Sequence, residues 1–299
     1  MAERNNIRSV IALGFFDGIH IGHAALLETA KRRAAEAGAE AAVLTFDNHP
    51  DDFVKKTHVA LINSPADRNY ILERWFGIRR VWYIHFNEDT MRLSWRDFLT
   101  QVTAAYGAVH FVVGHDFRFG YRGEGTAERL RGWCAARGLG CDVIPAVTLD
   151  GIVVSSTHIR SLLIEGRMAE AKRFLGHPHV LTDTVRTGFR IGRTLDFPTV
   201  NMRFAPDVLA PRHGVYASRV LMPEGTFSSV TNVGVRPTFE GRQLTVETHI
   251  LGFDADLYGR LLTLEFHEFL RPEQPFPSPE ALSAQIREDV ARTREYFSE

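Results

Sequence analysis

The sequence predicts an α/β domain with a parallel sheet, followed by an all-β barrel or sandwich closed by a terminal helix. Three observations lead there. Over the first half, short apolar runs alternate with amphipathic segments of helical length, the texture of βαβ units. From Leu181 onward Thr, Val and Phe become frequent, and short runs are punctuated by Gly, Pro and Asp, as in barrels and sandwiches. Near the end, Ser278-Pro279 opens a stretch with Leu282, Ile286 and Val290 at four-residue spacing, one face of a helix. A chain of 299 residues accommodates two such domains. The boundary is expected near residue 180, giving domains 1–180 and 181–299.

The elements follow in order. Residues 7–14 read as a strand and 21–37 as a helix, ending at Gly38 in the position that suits a left-handed cap. Residues 41–46 form a second apolar run. Ser64-Pro65 starts a helix with a capping hydroxyl and a first-turn proline. A strand at 79–85, a helix capped by Ser94 and running to about Tyr106, a strand at 108–114, a helix at 126–137 and a strand at 141–147 complete the alternation. Asp150-Gly151 is a hairpin turn, and two short helices at 157–165 and 168–174 precede the break at Gly176-His177-Pro178. In the second half, runs at 215–222 and 226–231 flank a Pro223-Glu224-Gly225 turn. Two more strands lie at 244–251 and 261–269.

Composition narrows the function classes. Lys plus Arg (35) nearly equals Asp plus Glu (36), so no global field attracts nucleic acid or an anionic membrane, and the Lys31-Arg32-Arg33 run reads as a solvated helix face. No apolar stretch reaches membrane-spanning length, and the polar start resembles no signal peptide. Cys134 and Cys141 make neither a disulfide framework nor a zinc site and read as core thiols. These features predict a cytoplasmic protein without nucleic-acid or membrane partners. Self-association is not fixed by the sequence.

The segment Gly14-Phe15-Phe16-Asp17-Gly18-Ile19-His20-Ile21-Gly22-His23 lies between the first strand and the first helix, where open α/β sheets bind ligands. Gly14, Gly18 and Gly22 let backbone approach phosphate oxygens, and the helix start offers N–H groups and a positive dipole end. His20 and His23, three apart in the opening turn, suit charge developing at a transferring phosphorus. A tight turn with a helix cap would use the same residue types. Ser155-Ser156-Thr157 begins a later helix with Arg160 one turn on, a second place for an anion, or an ordinary cap with a solvent-facing Arg.

With these motifs in view, the chain resembles the prokaryotic bifunctional riboflavin kinase/FAD synthetases, whose first domain is a Rossmann-like HxGH nucleotidylyltransferase and whose second is a riboflavin-kinase β-barrel with a terminal helix. The likeness continues in order through Leu44–Pro50, Phe111–Gly120 and Val154–Arg160. It implies phosphorylation of riboflavin to FMN and adenylylation of FMN to FAD, with ATP and Mg²⁺ consumed or bound along the way. In the first domain it places Gly14, Phe16, Asp17, Gly18, His20, Gly22, His23, Asp116, Ser156, Thr157 and Arg160 at ATP. His49 and Phe117 are its candidates for flavin, although a loop histidine and a strand-end phenylalanine are equally turn and packing residues.

In the second domain, Gly192–Asn201 resembles the kinase motif built around Pro-Thr-x-Asn, with Gly192, Thr199 and Asn201 at ATP and Mg²⁺. Gly214–Ala217, Asn232–Phe239 and Val246–Ile250 also match. Riboflavin presents a neutral hydroxyl, so this step benefits from a carboxylate that accepts the proton, and Glu247 is the family-equivalent residue. A solvent-facing Glu is the usual occupant of such a strand position. Arg271 is a candidate for a ligand-covering loop. Three positions depart from the family: Asp196 for Gly, Ile191 for Arg, and Val200 for a small residue. They predict kinase activity with altered ATP affinity.

Overall fold

The structure is a computed structural model that describes residues 8–54, 56–186, 197–238 and 241–298; the side chains of 236–238, 241 and 242 are outside the description. Backbone contacts divide the chain into two compact units, Met1–Leu61 with Arg68–Ser155, and Ile62–Asp67 with Ser156–Glu299.

The first unit runs β1 (Ser9–Leu13), α1 (Ile21–Ala37), β2 (Glu40–Phe46), α2 (Pro50–Val54), α3 (Pro65–Phe76, whose residues up to Asp67 fall in the second unit), β3 (Arg80–Ile84), α4 (Glu88–Arg92), α5 (Trp95–Tyr106) and β4 (Ala108–Gly114). The two-residue strands β5 (Arg118–Phe119) and β6 (Gly125–Thr126) follow. Then come α6 (Ala127–Ala135), β7 (Gly140–Ile144) and the hairpin β8 (Thr148–Leu149) and β9 (Ile152–Val153). Five strands form one parallel sheet in the order β3-β2-β1-β4-β7. Central β1 is buried at every residue, as expected of a strand covered on both faces. Strand order reverses between β1 and β4, which opens a crevice beyond their carboxyl ends.

Local chemistry explains the element ends. Gly38 and Gly107 adopt left-handed φ of 57° and 61° and stop α1 and α5. The Ser94 hydroxyl accepts the Asp97 N–H at the start of α5. The core packs Ile11, Leu13, Phe111 and Val113 against Leu99, Leu130 and Trp133. Cys134 is fully buried on α6 and Cys141 lies beside it on β7; hydrogen bonding to Cys141, reinforced by burial, pushes the Cys134 thiol up.

The second unit contains α7 (Ser156–Glu165), α8 (Met168–Leu175), β10 (His179–Thr184), β11 (Val200–Met202), β12 (Gly214–Met222), β13 (Gly225–Thr238), β14 (Gly241–Ile250), β15 (Leu261–Arg271) and α9 (Pro279–Phe297). Six antiparallel strands curl in the order β10-β15-β12-β13-β14-β11. A bridge between Arg186 and Asn201 brings the two edges together, making a half-barrel. Period-two alternation sends Tyr216, Ser218 and Val220 inward. The hydroxyls of Ser218, Ser229, Thr231 and Thr248 satisfy one another there at 2.7–2.9 Å. Val215, Ala217 and Val230 face outward beneath Val290 and Phe297 of α9.

Several elements differ from expectation. β7 ends at Ile144, three residues before the expected limit, while β13 continues to Thr238. The short elements α2, α4, β5, β6 and β11 were not evident in the sequence pattern. On α9 the deepest residues are Asp289 (1% exposed) and Thr293, not the apolar stripe. The reason is Arg271, whose guanidinium grips the Asp289 carboxylate through Nε at 3.0 Å and Nη2 at 2.8 Å.

Candidate functional sites

In the first unit, the loop from Gly14 to His20 leaves β1 and enters α1 along an unusual path. Phe16 (φ 50°), Gly18 (φ 82°) and Ile19 (φ 42°) all lie in the left-handed region, which is costly for a bulky and a β-branched side chain. Phe16, Asp17 and Ile19 are fully buried, and that packing holds the path in place. His20 is the N-cap of α1, and its Nδ1 accepts the His23 N–H at 3.2 Å. A neutral His20 ring therefore carries its proton on Nε2. The two imidazoles stack with centroids 3.7 Å apart and planes 9° from parallel. Gly22 permits this arrangement, since a Cβ there would press on the His20 ring at 3.0 Å.

His23 Nδ1 is shut off from solvent, with no hydrogen-bond partner among the described residues. Burial, and next the neighbouring His20, hold the His23 pKa well below the usual histidine value. Near neutral pH the His23 ring is therefore held neutral. The N-terminal turn of α1 beside it offers amides that have no acceptor within the helix.

Next to this loop lies a cavity of about 660 Å³ at the carboxyl ends of β1, β2 and β3. Gly14 lies on its wall, so the loop that enters α1 and the apolar cavity adjoin. Its far wall is the aromatic segment after β4, where Phe117 stacks on Phe119 at 5.3 Å. Gly120 (φ 72°) closes that segment onto α5 so tightly that a Cβ would lie 2.5 Å from the Trp95 backbone. Size and lining suit a planar aromatic ligand. His49 stands at the mouth of α2, its ring edge-on to Phe15 at 4.7 Å. Asp116 follows β4 with its side chain 83% exposed. Gly14–His23, Phe117 and Asp116 thus gather around the crevice between β1 and β4. Ser156, Thr157 and Arg160 occupy the first turns of α7, in the second unit.

In the second unit, Glu247 on β14 stands in register with Asn201 on β11 and with Asn232 on β13. Cross-strand partners share a face, so the three side chains form a row on the outer side of the half-barrel. Thr199, two residues before Asn201, lines a cavity of about 670 Å³ shared with Pro198, His249, Asp254 and Asp256. His249 Nδ1 lies 2.9 Å from the Pro198 carbonyl and pins the Phe197-Pro198-Thr199 segment to β14. The row ends at Glu273, whose Oε1 accepts from Asn232 Nδ2 at 3.1 Å, over Gly234, where a Cβ would collide with that carboxylate. Asn232 carries no individual signal in the sequence; it is marked by register, which only strand pairing supplies, and Glu273 by its hydrogen bond to Asn232. Arg271 ends a strand rather than lying in a loop, with its guanidinium on Asp289 and its Nη1 on the Pro272 carbonyl. Gly192, with Ile191 and Asp196, lies outside the described residues.

Residues 2–158 match the family model for FAD synthetase and residues 175–297 that for riboflavin kinase. The chain belongs to the bifunctional riboflavin kinase/FMN adenylyltransferase family. Its relatives of that name include proteins from Listeria monocytogenes, 33% identical over 99% of this chain and 95% of the relative, and from Pseudomonas fluorescens, 35% identical over 95% and 92%. A relative from Escherichia coli K12 is 33% identical over 96% of this chain and 92% of its own. A crystal structure described as a macrolide-efflux protein from Streptococcus pneumoniae is similar over 96% of this chain and 94% of its own, with 29% identity and a TM-score of 0.83. Among the described residues no helix is long and apolar enough to cross a membrane.

For this bifunctional family, the second unit's donor set is informative. Thr199 and Asn201 offer a hydroxyl and an amide oxygen, with the Glu247 carboxylate in register. Hard oxygen donors of this kind fit Mg²⁺, which keeps waters and shares phosphate ligands rather than needing a full protein cage. Among the described residues no group of three or more His, Cys, Asp or Glu is placed to hold a metal ion.

Proposed function

We propose that the protein phosphorylates riboflavin to FMN in its second unit and adenylylates FMN to FAD in its first, using ATP for both. The observation that carries this reading is the adjacency of an anion-binding loop and a flavin-sized apolar cavity in one unit. Its counterpart in the other unit is Glu247 in register with Asn201.

Adenylylation joins an FMN phosphate oxygen to the α-phosphorus of ATP and releases pyrophosphate. The nucleophile is already anionic, so the protein needs no base. His20 and His23, with Gly14, Phe16, Asp17, Gly18 and Gly22, hold the phosphates and stabilise the charge developing on them. Phe117 and His49 bound the flavin end, and Asp116 serves the nucleotide. Ser156, Thr157 and Arg160 are assigned to phosphate binding in this step from the sequence: they open a helix with a guanidinium one turn on, and they match the family motif.

Phosphorylation moves the γ-phosphoryl group to a ribityl hydroxyl, and Glu247 accepts the hydroxyl proton. Thr199 and Asn201, with Gly192, hold ATP. Thr199 and Asn201 would also hold Mg²⁺, which would offset the negative charge of the phosphates. Val200 borders the same cavity where the family has a small residue, which supports altered ATP affinity. Arg271, locked to Asp289, acts on flavin through the segment it holds rather than by direct contact. The functional boundary is placed near residue 180, the setting is cytoplasmic, and the partners are small molecules, with no role for nucleic acid.

Chromatography of flavins after incubation with riboflavin, ATP and Mg²⁺ tests the reading. FMN appearing first and FAD second is the expected result; flavin that stays unmodified, with riboflavin or with added FMN, would overturn it.

A further inference from the structure

Arg68 is the largest side chain wholly buried in the described molecule. It lies beneath the loop that enters α1. Its Nη1 donates to the Phe46 carbonyl at 2.8 Å, to the Phe15 carbonyl at 3.2 Å and to Thr45 Oγ1 at 3.3 Å. Thr45 Oγ1 in turn donates to the Phe15 carbonyl at 2.6 Å. The guanidinium also sits over the Phe15 ring at 5.7 Å and the Tyr83 ring at 5.2 Å. One cation therefore ties the phosphate-binding loop to the carboxyl end of β2, where the apolar cavity begins.

We propose that Arg68 is a positioning residue for adenylyl transfer, fixing from below the strained backbone that presents the loop to ATP. The proposal rests on the reading of the first unit as the adenylyl-transfer site. The strain gives the argument its force. Phe16, Gly18 and Ile19 hold left-handed conformations next to the Phe15 carbonyl that Arg68 grips. Such a path persists only where its surroundings over-determine it. An apolar side chain of similar volume could fill the space, and burying a charge is weak evidence for stability. What a hydrocarbon cannot do is hold the Phe15 and Phe46 carbonyls at one point. Displacing a phosphate-binding loop by an ångström costs on the order of a hundredfold in rate.

The test compares Arg68→Met and Arg68→Lys with the parent in two assays on the same protein: FAD formation from FMN, and FMN formation from riboflavin. Arg68→Met is expected to raise the KM for ATP in adenylylation and to lower its kcat/KM by roughly ten- to a hundredfold. Riboflavin phosphorylation should remain within twofold. Arg68→Lys, a point donor without the planar fork, should recover part of the loss. Should Arg68→Met fail to fold, Thr45→Val removes the hydroxyl that bridges the same carbonyl and should shift the ATP KM in the same direction by a smaller factor. The proposal is overturned if folded Arg68→Met or Thr45→Val keeps the parent's ATP KM. It is overturned equally if both activities fall together in proportion to lost folded protein, which would make Arg68 a packing residue. A parent that forms FMN but no FAD would overturn the underlying reading, and the proposal with it.

Discussion

A single missing methyl group decides how the two histidines of the first unit meet. With Gly22 between them, His20 folds back over the first turn and stacks on His23, and both rings cannot comfortably be charged at once. The free protein therefore keeps His23 neutral, and in the proposed adenylyl transfer a bound polyphosphate would supply the countercharge that lets the pair donate. Replacing His23 with alanine is expected to lower FAD formation by about 10²–10³-fold, the scale of losing one stabilising donor. Riboflavin phosphorylation should be unaffected, since it uses a different unit. Glu247→Gln keeps the shape of the row beside Asn201 and Asn232 but cannot take a proton. It should cost the kinase step about 10²–10⁴-fold while added FMN is still adenylylated. Separate rate measurements with riboflavin and with FMN distinguish the two. If either variant lost both activities while folded, the assignment of roles to units would be wrong.

At the level of elements, β10 carries a histidine whose chemistry its strand opposes. His179 is 1% exposed, lies between Phe204 and Phe266, and has neither ring nitrogen hydrogen-bonded among the described residues. Burial, and next the neighbouring His177, lower its pKa to about 3. Between pH 3 and 6.5 the unfolded chain binds the proton that the fold refuses, so this residue makes stability fall as pH drops, by about 1.4 kcal/mol per unit. Asp67, the capping carboxylate of α3, does the opposite. Burial raises it to about 6 against hydrogen bonds from Ser64 and Thr182, so its contribution is lost as pH rises through that value. The two offset each other across the window from about pH 4 to 6. His179→Phe removes one side of that balance. The variant should gain about 2 kcal/mol on the parent between pH 7 and pH 5, read from the slowest-exchanging amides of β10 and β15; parallel pH curves would contradict the assignment. The same elements mark what sequence reading reaches. α1 and α5 were legible because capping residues, apolar period and terminal glycine agree over many turns. α2 and α4, one turn each, carry too little periodicity, and β11 is only three residues long, defined by its pairing with β14. His20, His23 and Glu247 were legible as motif members. Arg68 and Asp289 were not, because a charged residue in a helix reads as solvated until its partners from distant segments are seen.

For the molecule as a whole, FMN is the product of one unit and the substrate of the other. The chemistries differ at both ends: a neutral hydroxyl attacks the γ-phosphorus in one step, and an anionic phosphate attacks the α-phosphorus in the other. Each requires its own placement of ATP, and each unit has its own cavity of suitable size. Nothing in either reaction requires FMN to stay on the chain that made it. Mixing His23→Ala with Glu247→Gln should therefore restore FAD formation from riboflavin, although neither variant manages it alone. The time course should show FMN accumulating first and FAD following after a lag that shortens as the Glu247→Gln protein is increased, because that protein consumes the FMN pool. Absence of FAD from the mixture, with each variant active in its remaining half-reaction, would mean that FMN passes only within a chain. A lag insensitive to Glu247→Gln concentration would instead place the slow step in release of FMN from the kinase unit.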